Sequence, residues 1–97
     1  MYYTYVLWSK NQQKFYIGFT ADLERRLSEH KSNKGRTTSR MNSPTIIFYE
    51  AFASKDDALR REAYFKTTKG KKALRLIVRD SIKTVDNITA SPSSSLA

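Results

Sequence analysis

Tyr2-Tyr3-Thr4-Tyr5-Val6-Leu7-Trp8, then Ser9-Lys10-Asn11-Gln12-Gln13-Lys14, then Phe15-Tyr16-Ile17-Gly18-Phe19-Thr20: this stretch decides the fold. Its outer segments are aromatic and β-branched, which suits a pleated, half-buried strand. The middle segment is polar, so the three together predict a β-hairpin. Side chains alternate across a strand. A loop with an even number of residues puts Tyr5 and Tyr16 on one face, with Tyr3, Leu7 and Gly18. An odd loop without a bulge separates them. Packing is the ordinary work of strand tyrosines, so a shared face is compatible with packing as well as with chemistry.

Beyond the hairpin, Asp22 offers an N-cap and Leu23 to Lys31 reads as a helix. Residues Ser32 to Pro44 form a polar loop that carries Lys34, Arg36 and Arg40 and no acid. Thr45 to Phe52 reads as a third strand centred on Ile46, Ile47, Phe48 and Tyr49. Ser54 is placed to cap a further helix, with Asp57 three residues on as a weaker form of the capping box. That helix is expected to run to about Lys69 and to stop at Gly70. Lys71 to Arg79 predicts a last short helix. From Ser81 the composition changes, and Thr89-Ala90-Ser91-Pro92-Ser93-Ser94-Ser95 is low in complexity. Residues 1–80 are therefore expected to form the domain and 81–97 a disordered tail. The order β-β-α-β-α-α predicts an α+β fold, a small three-stranded antiparallel sheet flanked by helices.

The whole chain has 97 residues and carries 18 Lys and Arg against 9 Asp and Glu, a formal charge of +9. Such a surplus points to a polyanionic partner, most often nucleic acid. There is no cysteine, which excludes disulfides and thiolate metal sites. One histidine excludes a multi-histidine zinc site. No apolar run approaches the roughly 18 residues of a membrane span. Met1-Tyr2-Tyr3-Thr4-Tyr5 lacks the basic start of a signal peptide, so a cytoplasmic protein is expected.

Two helical positions stand out. At about 100° per residue, Glu62 falls about 40° from Ala58, between Leu59 and Phe65 in the apolar stripe. A carboxylate there is costly unless paired or bound to metal. The other reading is a surface Glu62 paired with Lys66 at i+4. Arg26 lies beside the core stripe of its helix with His30 one turn on, whereas Arg25 faces water. The Arg26–His30 pair fits a grip on phosphate, or a solvated helix edge.

Tyr16-Ile17-Gly18 matches the second half of the GIY-YIG signature. Tyr3-Thr4-Tyr5 aligns with the first half and keeps its final tyrosine. Asp22-Leu23-Glu24-Arg25-Arg26-Leu27-Ser28-Glu29-His30 is similar to the family helix that carries an arginine and often a histidine, with the arginine at Arg26. Asp57-Ala58-Leu59-Arg60-Arg61-Glu62 resembles the segment bearing a metal-binding glutamate. Over about Tyr2 to Arg79 the chain thus resembles the GIY-YIG nuclease superfamily, in its small stand-alone branch related to the nuclease half of the UvrC repair protein. Tyr3 stands where the signature has glycine, and Phe19 where some branches carry lysine.

The resemblance implies a metal-dependent endonuclease acting on nucleic acid, with DNA expected ahead of RNA. Tyr5, Tyr16, Arg26, His30 and Glu62 are then the catalytic set. Glu62 would hold one Mg²⁺ or Mn²⁺, since a single carboxylate with waters suffices for such an ion. Arg26 would hold the scissile phosphate. Tyr5 or Tyr16 would orient or deprotonate the attacking water, with the first tyrosine the better candidate. His30 would relay a proton or touch phosphate, and Gly18 would let substrate approach the backbone. Lys34, Arg36, Arg40, Lys66, Lys69, Lys71, Lys72 and Arg75 would track the nucleic-acid backbone without reading sequence. Two alternatives stand beside this reading. One is a basic binding module on the same fold without catalysis; the other is a scaffold that meets an acidic protein.

Overall fold

Alternation in the first strand splits the chain into a core side and a site side. The computed structural model describes residues 1–32 and 44–87, apart from the side chains of residues 30–32. Strands β1 (Tyr2–Ser9), β2 (Lys14–Thr20) and β3 (Thr45–Phe52) form one antiparallel sheet in the order β2-β1-β3. Thr4, Val6 and Trp8 of the central strand are buried with Phe15 of β2. These residues lie under Phe65, Leu74 and Val78 from the helices, with Phe48 and Ile17 packed alongside. Trp8 and Phe15 stack at a tilt, with ring centroids 5.0 Å apart. Burying aromatics of this size supplies most of what a small sheet needs to hold its helices.

Four residues separate β1 from β2, and the pairing runs Tyr3 with Thr20, Tyr5 with Gly18 and Leu7 with Tyr16. This even loop places Tyr3, Tyr5, Leu7, Tyr16 and Gly18 on the face opposite Trp8. Gln13 takes a positive φ of 54° in the loop, and its amide donates to Ser9 at 2.7 Å. On the other side of β1, Tyr5 pairs with Tyr49 and Val6 with Phe48. The register then slips so that Leu7 meets Ile46. Ile47 is the extra residue of this bulge, which adds local twist to the edge strand.

Helix α1 (Leu23–Ser32) starts where Asp22 accepts the amide of Arg25 at 3.0 Å. Helices α2 (Lys55–Phe65), α3 (Thr68–Ile77) and α4 (Arg79–Asn87) follow β3. The Thr4 hydroxyl donates to the carbonyl of Ala58 at 2.7 Å, fixing α2 to the core face of the sheet. Helix α1 approaches the opposite face, where Arg26 reaches Tyr5. The fold is therefore α+β, a three-stranded antiparallel sheet with four helices among the described residues.

Three expectations are corrected. Ser54 occupies the cap position of α2, but its side chain makes no capping bond. Asp57 pairs with Arg60 at 2.9 Å instead of closing a capping box. Gly70 does not end α2, which stops at Phe65; it lies in the first turn of α3. There a Cβ would run into the Tyr64 carbonyl, so the glycine permits close contact between two helices rather than a cap. Thr67 caps α3 by accepting from the Gly70 amide at 3.0 Å. Lastly, of the tail expected over residues 81–97, residues 81–87 are helical, the body of α4, and residues 88–97 lie outside the described residues. Ile82 and Val85, three apart, pack on the core, and the Trp8 indole donates to Asp86 at 2.9 Å. These long-range contacts hold a segment whose composition alone favours disorder. No helix among the described residues is long and apolar enough to cross a membrane.

Candidate active site

On the site face of the sheet, Tyr5 lies in the central strand and is 6% exposed. Its ring lies across Gly18 of β2, so closely that a Cβ on residue 18 would fall onto the phenol end of the ring. Gly18 is thus required because it leaves room for Tyr5. The Arg26 Nε donates to the Tyr5 hydroxyl oxygen at 2.9 Å, and the guanidinium lies 5.8 Å from the ring centroid. Glu29 holds a second nitrogen of Arg26 at 3.2 Å and also meets Arg25 at 3.5 Å. The Arg26 pKa is raised above its ordinary value, first by the hydrogen bond to Tyr5, with Glu29 adding to the effect. The result is a permanently charged donor held by its inner edge, with its side chain still 54% exposed.

Tyr16 has a different partner. It is exposed, and its hydroxyl bonds to Gln12 in the hairpin turn. Lys14 sits over its ring at 5.0 Å. Of the two expected tyrosines, Tyr5 is the one joined to Arg26.

Glu62 lies on α2. Its side chain is 21% exposed, and its carboxylate is bonded to Lys66 at 3.2 Å. Both sequence readings contain part of the answer, since the position is half-buried and the i,i+4 pair also forms. Arg61 of the same helix reaches Glu50 on β3. Glu62, about 100° further round, therefore turns to the flank away from β3. Glu62 makes no hydrogen bond or ion pair with Tyr5, Tyr16 or Arg26. No group of three or more His, Cys, Asp or Glu side chains placed to hold a metal occurs among the described residues.

The basic residues divide between the two faces. Lys66 closes α2, and Lys69, Lys71, Lys72 and Arg75 lie on α3, over the core face. Arg75 is engaged there, its guanidinium 5.5 Å from the Phe15 ring centroid and 5.7 Å from that of Trp8. These residues are not brought together with Arg26. Lys34, Arg36, Arg40 and the His30 side chain lie outside the described residues. An open cleft of about 450 Å³ on the β3 flank is lined by Phe52, Asp57, Arg60, Arg61 and Tyr64 and contains none of the expected site residues.

A β-hairpin that presents a tyrosine to an arginine of the following helix, with a glycine beneath the ring, defines a GIY-YIG domain. The GIY-YIG catalytic domain family matches residues 1–75, and the chain belongs to that family, in its small stand-alone branch. It is similar to a UPF0213 protein of Streptococcus pneumoniae, 43% identical over 68 residues, covering 69% of this chain and 68% of that protein. It is similar also to the UPF0213 protein in the ldhD 5′ region of Pediococcus acidilactici, 30% identical over 84 residues, with 84% and 85% of the two chains covered. The solution NMR structure of the UPF0213 protein BH0048 from Bacillus halodurans aligns with a TM-score of 0.51 at 32% identity, over 79% of this chain and 85% of that one. The family is one of nuclease domains, and its substrates are nucleic acids.

Proposed function

We propose that this chain is a divalent-metal-dependent endonuclease that hydrolyses phosphodiester bonds, DNA ahead of RNA, in the cytoplasm. The observation that carries the reading is the 2.9 Å bond from Arg26 to Tyr5, which joins residues 21 apart in sequence. A surface arginine has no structural need of a buried tyrosine hydroxyl. An arginine that must stay charged and aimed at one point does, because the bond removes its rotational freedom.

In this reading Arg26 uses its outward N–H groups to bind the non-bridging oxygens of the scissile phosphate. It offsets the charge that builds there as water attacks phosphorus and the bond to the leaving oxygen breaks. The Tyr5 hydroxyl oxygen orients the attacking water, and Tyr16 supports it from the next position along the face. His30, one turn after Arg26 on α1, is assigned to the same phosphate. Gly18 keeps the approach to Tyr5 open, and the basic loop with Lys34, Arg36 and Arg40 is assigned to the backbone beyond.

Glu62 suits a hard cation. It provides one carboxylate, half-buried, and Mg²⁺ accepts one protein oxygen while keeping its waters. Lys66 holds the Oε2 atom and would yield it to the ion. When bound, such an ion supplies Lewis-acid neutralisation of the phosphate.

The test is a panel of branched, nicked, single-stranded and duplex DNA, and RNA, with Mg²⁺ or Mn²⁺. Cleavage that disappears in both Glu62→Ala and Arg26→Ala is the expected result. Salt-sensitive binding without cleavage of any substrate in either metal would replace the enzyme with the non-catalytic binding module.

A further inference from the structure

The site face of the sheet displays more aromatic surface than the proposed chemistry uses. Tyr5 is flanked in its row by Gly18 on β2 and Tyr49 on β3. Directly opposed residues hold their Cβ atoms about 5 Å apart. The Tyr5 ring leans toward β2, over Gly18. Tyr49, on the other side, is left 53% exposed. Its hydroxyl has no hydrogen-bond partner among the described residues, and its ring makes an edge-type contact with that of Tyr3, with centroids 6.1 Å apart and planes at 68°. Tyr3 thus steadies Tyr49 and still leaves about half of it open to solvent. A large aromatic ring exposed in the middle of a strand, beside the bonded pair of Tyr5 and Arg26, gains nothing for the core.

Base faces are hidden in a duplex, which offers only groove edges and backbone to a flat surface. A base must be unpaired and turned out before an aromatic side chain on a sheet can stack on it. We propose that Tyr49 stacks the base next to the phosphate held at Arg26, so that the site takes unpaired nucleotides, in a single strand or a flap, in preference to intact duplex. The reading of Arg26 as the phosphate holder is taken from the proposed function; the stacking platform itself stands on Tyr49 and Tyr3.

The experiment is equilibrium binding in metal-free buffer at low salt, where no cleavage occurs. The probes are a fluorescein-labelled dT oligonucleotide, the same length of duplex, and a single strand carrying 2-aminopurine. Wild type quenches the 2-aminopurine. Tyr49→Ala loses that quenching and binds the single strand on the order of tenfold more weakly, while duplex affinity stays within about twofold. Tyr49→Phe retains both signals, which separates stacking from loss of fold. An equal loss on single strand and duplex, an unchanged single-strand affinity in Tyr49→Ala, or no quenching by wild type each overturns the platform. A protein that passes these tests yet cuts nothing in the cleavage panel keeps the platform and loses the nuclease reading. One that cuts but fails them loses only the platform.

Discussion

Arg26 and Arg61 sit on opposite faces of one small sheet and have been put to opposite uses. Arg61 of α2 places two nitrogens on the two oxygens of Glu50, at 2.8 and 3.2 Å, and its guanidinium lies 4.5 Å from the Phe65 ring centroid. Its pKa is raised first by the bond to Glu50. It is a fork matched to a carboxylate, closed on a protein partner. Arg26 spends its Nε on a neutral hydroxyl, meets Glu29 through one further nitrogen, and remains more exposed, 54% against 34%. Two arginines with pKa values shifted in the same direction thus differ in what they have left to offer. A raised pKa marks a held charge; the identity of the partner shows whether that charge serves the fold or a ligand.

Exchanging the roles of these two residues gives the largest effects. Arg26→Ala is expected to reduce cleavage about 10²- to 10³-fold, the range for removing one donor to transition-state charge. It should leave the thermal midpoint nearly unchanged, since its charged partner among the described residues, Glu29, is an exposed one. Arg61→Ala should do the reverse. Two charge-assisted hydrogen bonds at a site one-third exposed contribute about 1–2 kcal/mol. In a domain of this size that lowers the midpoint by about 5–10 °C, with cleavage per folded molecule unchanged. Calorimetry beside the cleavage assay reads both, and a midpoint loss in Arg26→Ala equal to that in Arg61→Ala would erase the distinction.

Gly18→Ala sharpens the site side of the comparison. The new methyl group meets the far end of the Tyr5 ring, which can swing away, so the fold loses little. The bond to Arg26 does not survive that swing. Cleavage is expected to fall ten- to a hundredfold, because small misplacements at a reacting centre cost that much, while the melting curve moves by a few degrees at most. Full activity in a folded Gly18→Ala protein would show that Tyr5 need not sit where Arg26 holds it.

Much of this was legible in the residues. The run Thr45–Phe52 carries a strand signal so consistent that its bounds agree with the structure. The hairpin loop fixes which side chains share a face once its four residues are counted. Asp22 announces α1 and so aims Arg26. Other features could not be read because one residue type answers several needs. Gly70 looks the same whether it ends a helix or lets two helices touch. The α4 segment is rich in Ser, Thr, Asp and Asn, and its packing on the core together with the bond from Trp8, more than seventy residues away, holds it as a helix. Tyr49 is concealed in a run with Ile46 and Phe48 that reads as core. Its exposure depends on the sheet order, which puts β3 at an edge.

The smallest effect asks how much of Arg26 is already spent. Glu29 lies three residues on, and such exposed helix pairs contribute about 0.2–0.5 kcal/mol. An arriving phosphate must compete with that carboxylate for the same nitrogen, and it also feels the negative charge. Glu29→Gln is therefore expected to tighten nucleic-acid binding about twofold. Charge alone has to be separated from contact, because any lost carboxylate raises affinity for a polyanion. Glu24→Gln makes the same change of net charge on α1, about 100° round the helix from Leu23, and serves as the reference. If Arg26 is shared between Glu29 and substrate, the gain in Glu29→Gln exceeds that in Glu24→Gln, and Arg26→Ala abolishes the difference. Equal gains would mean that Glu29 acts only as one more surface charge, and that Arg26 is as free of carboxylate competition as Arg61 is bound by it.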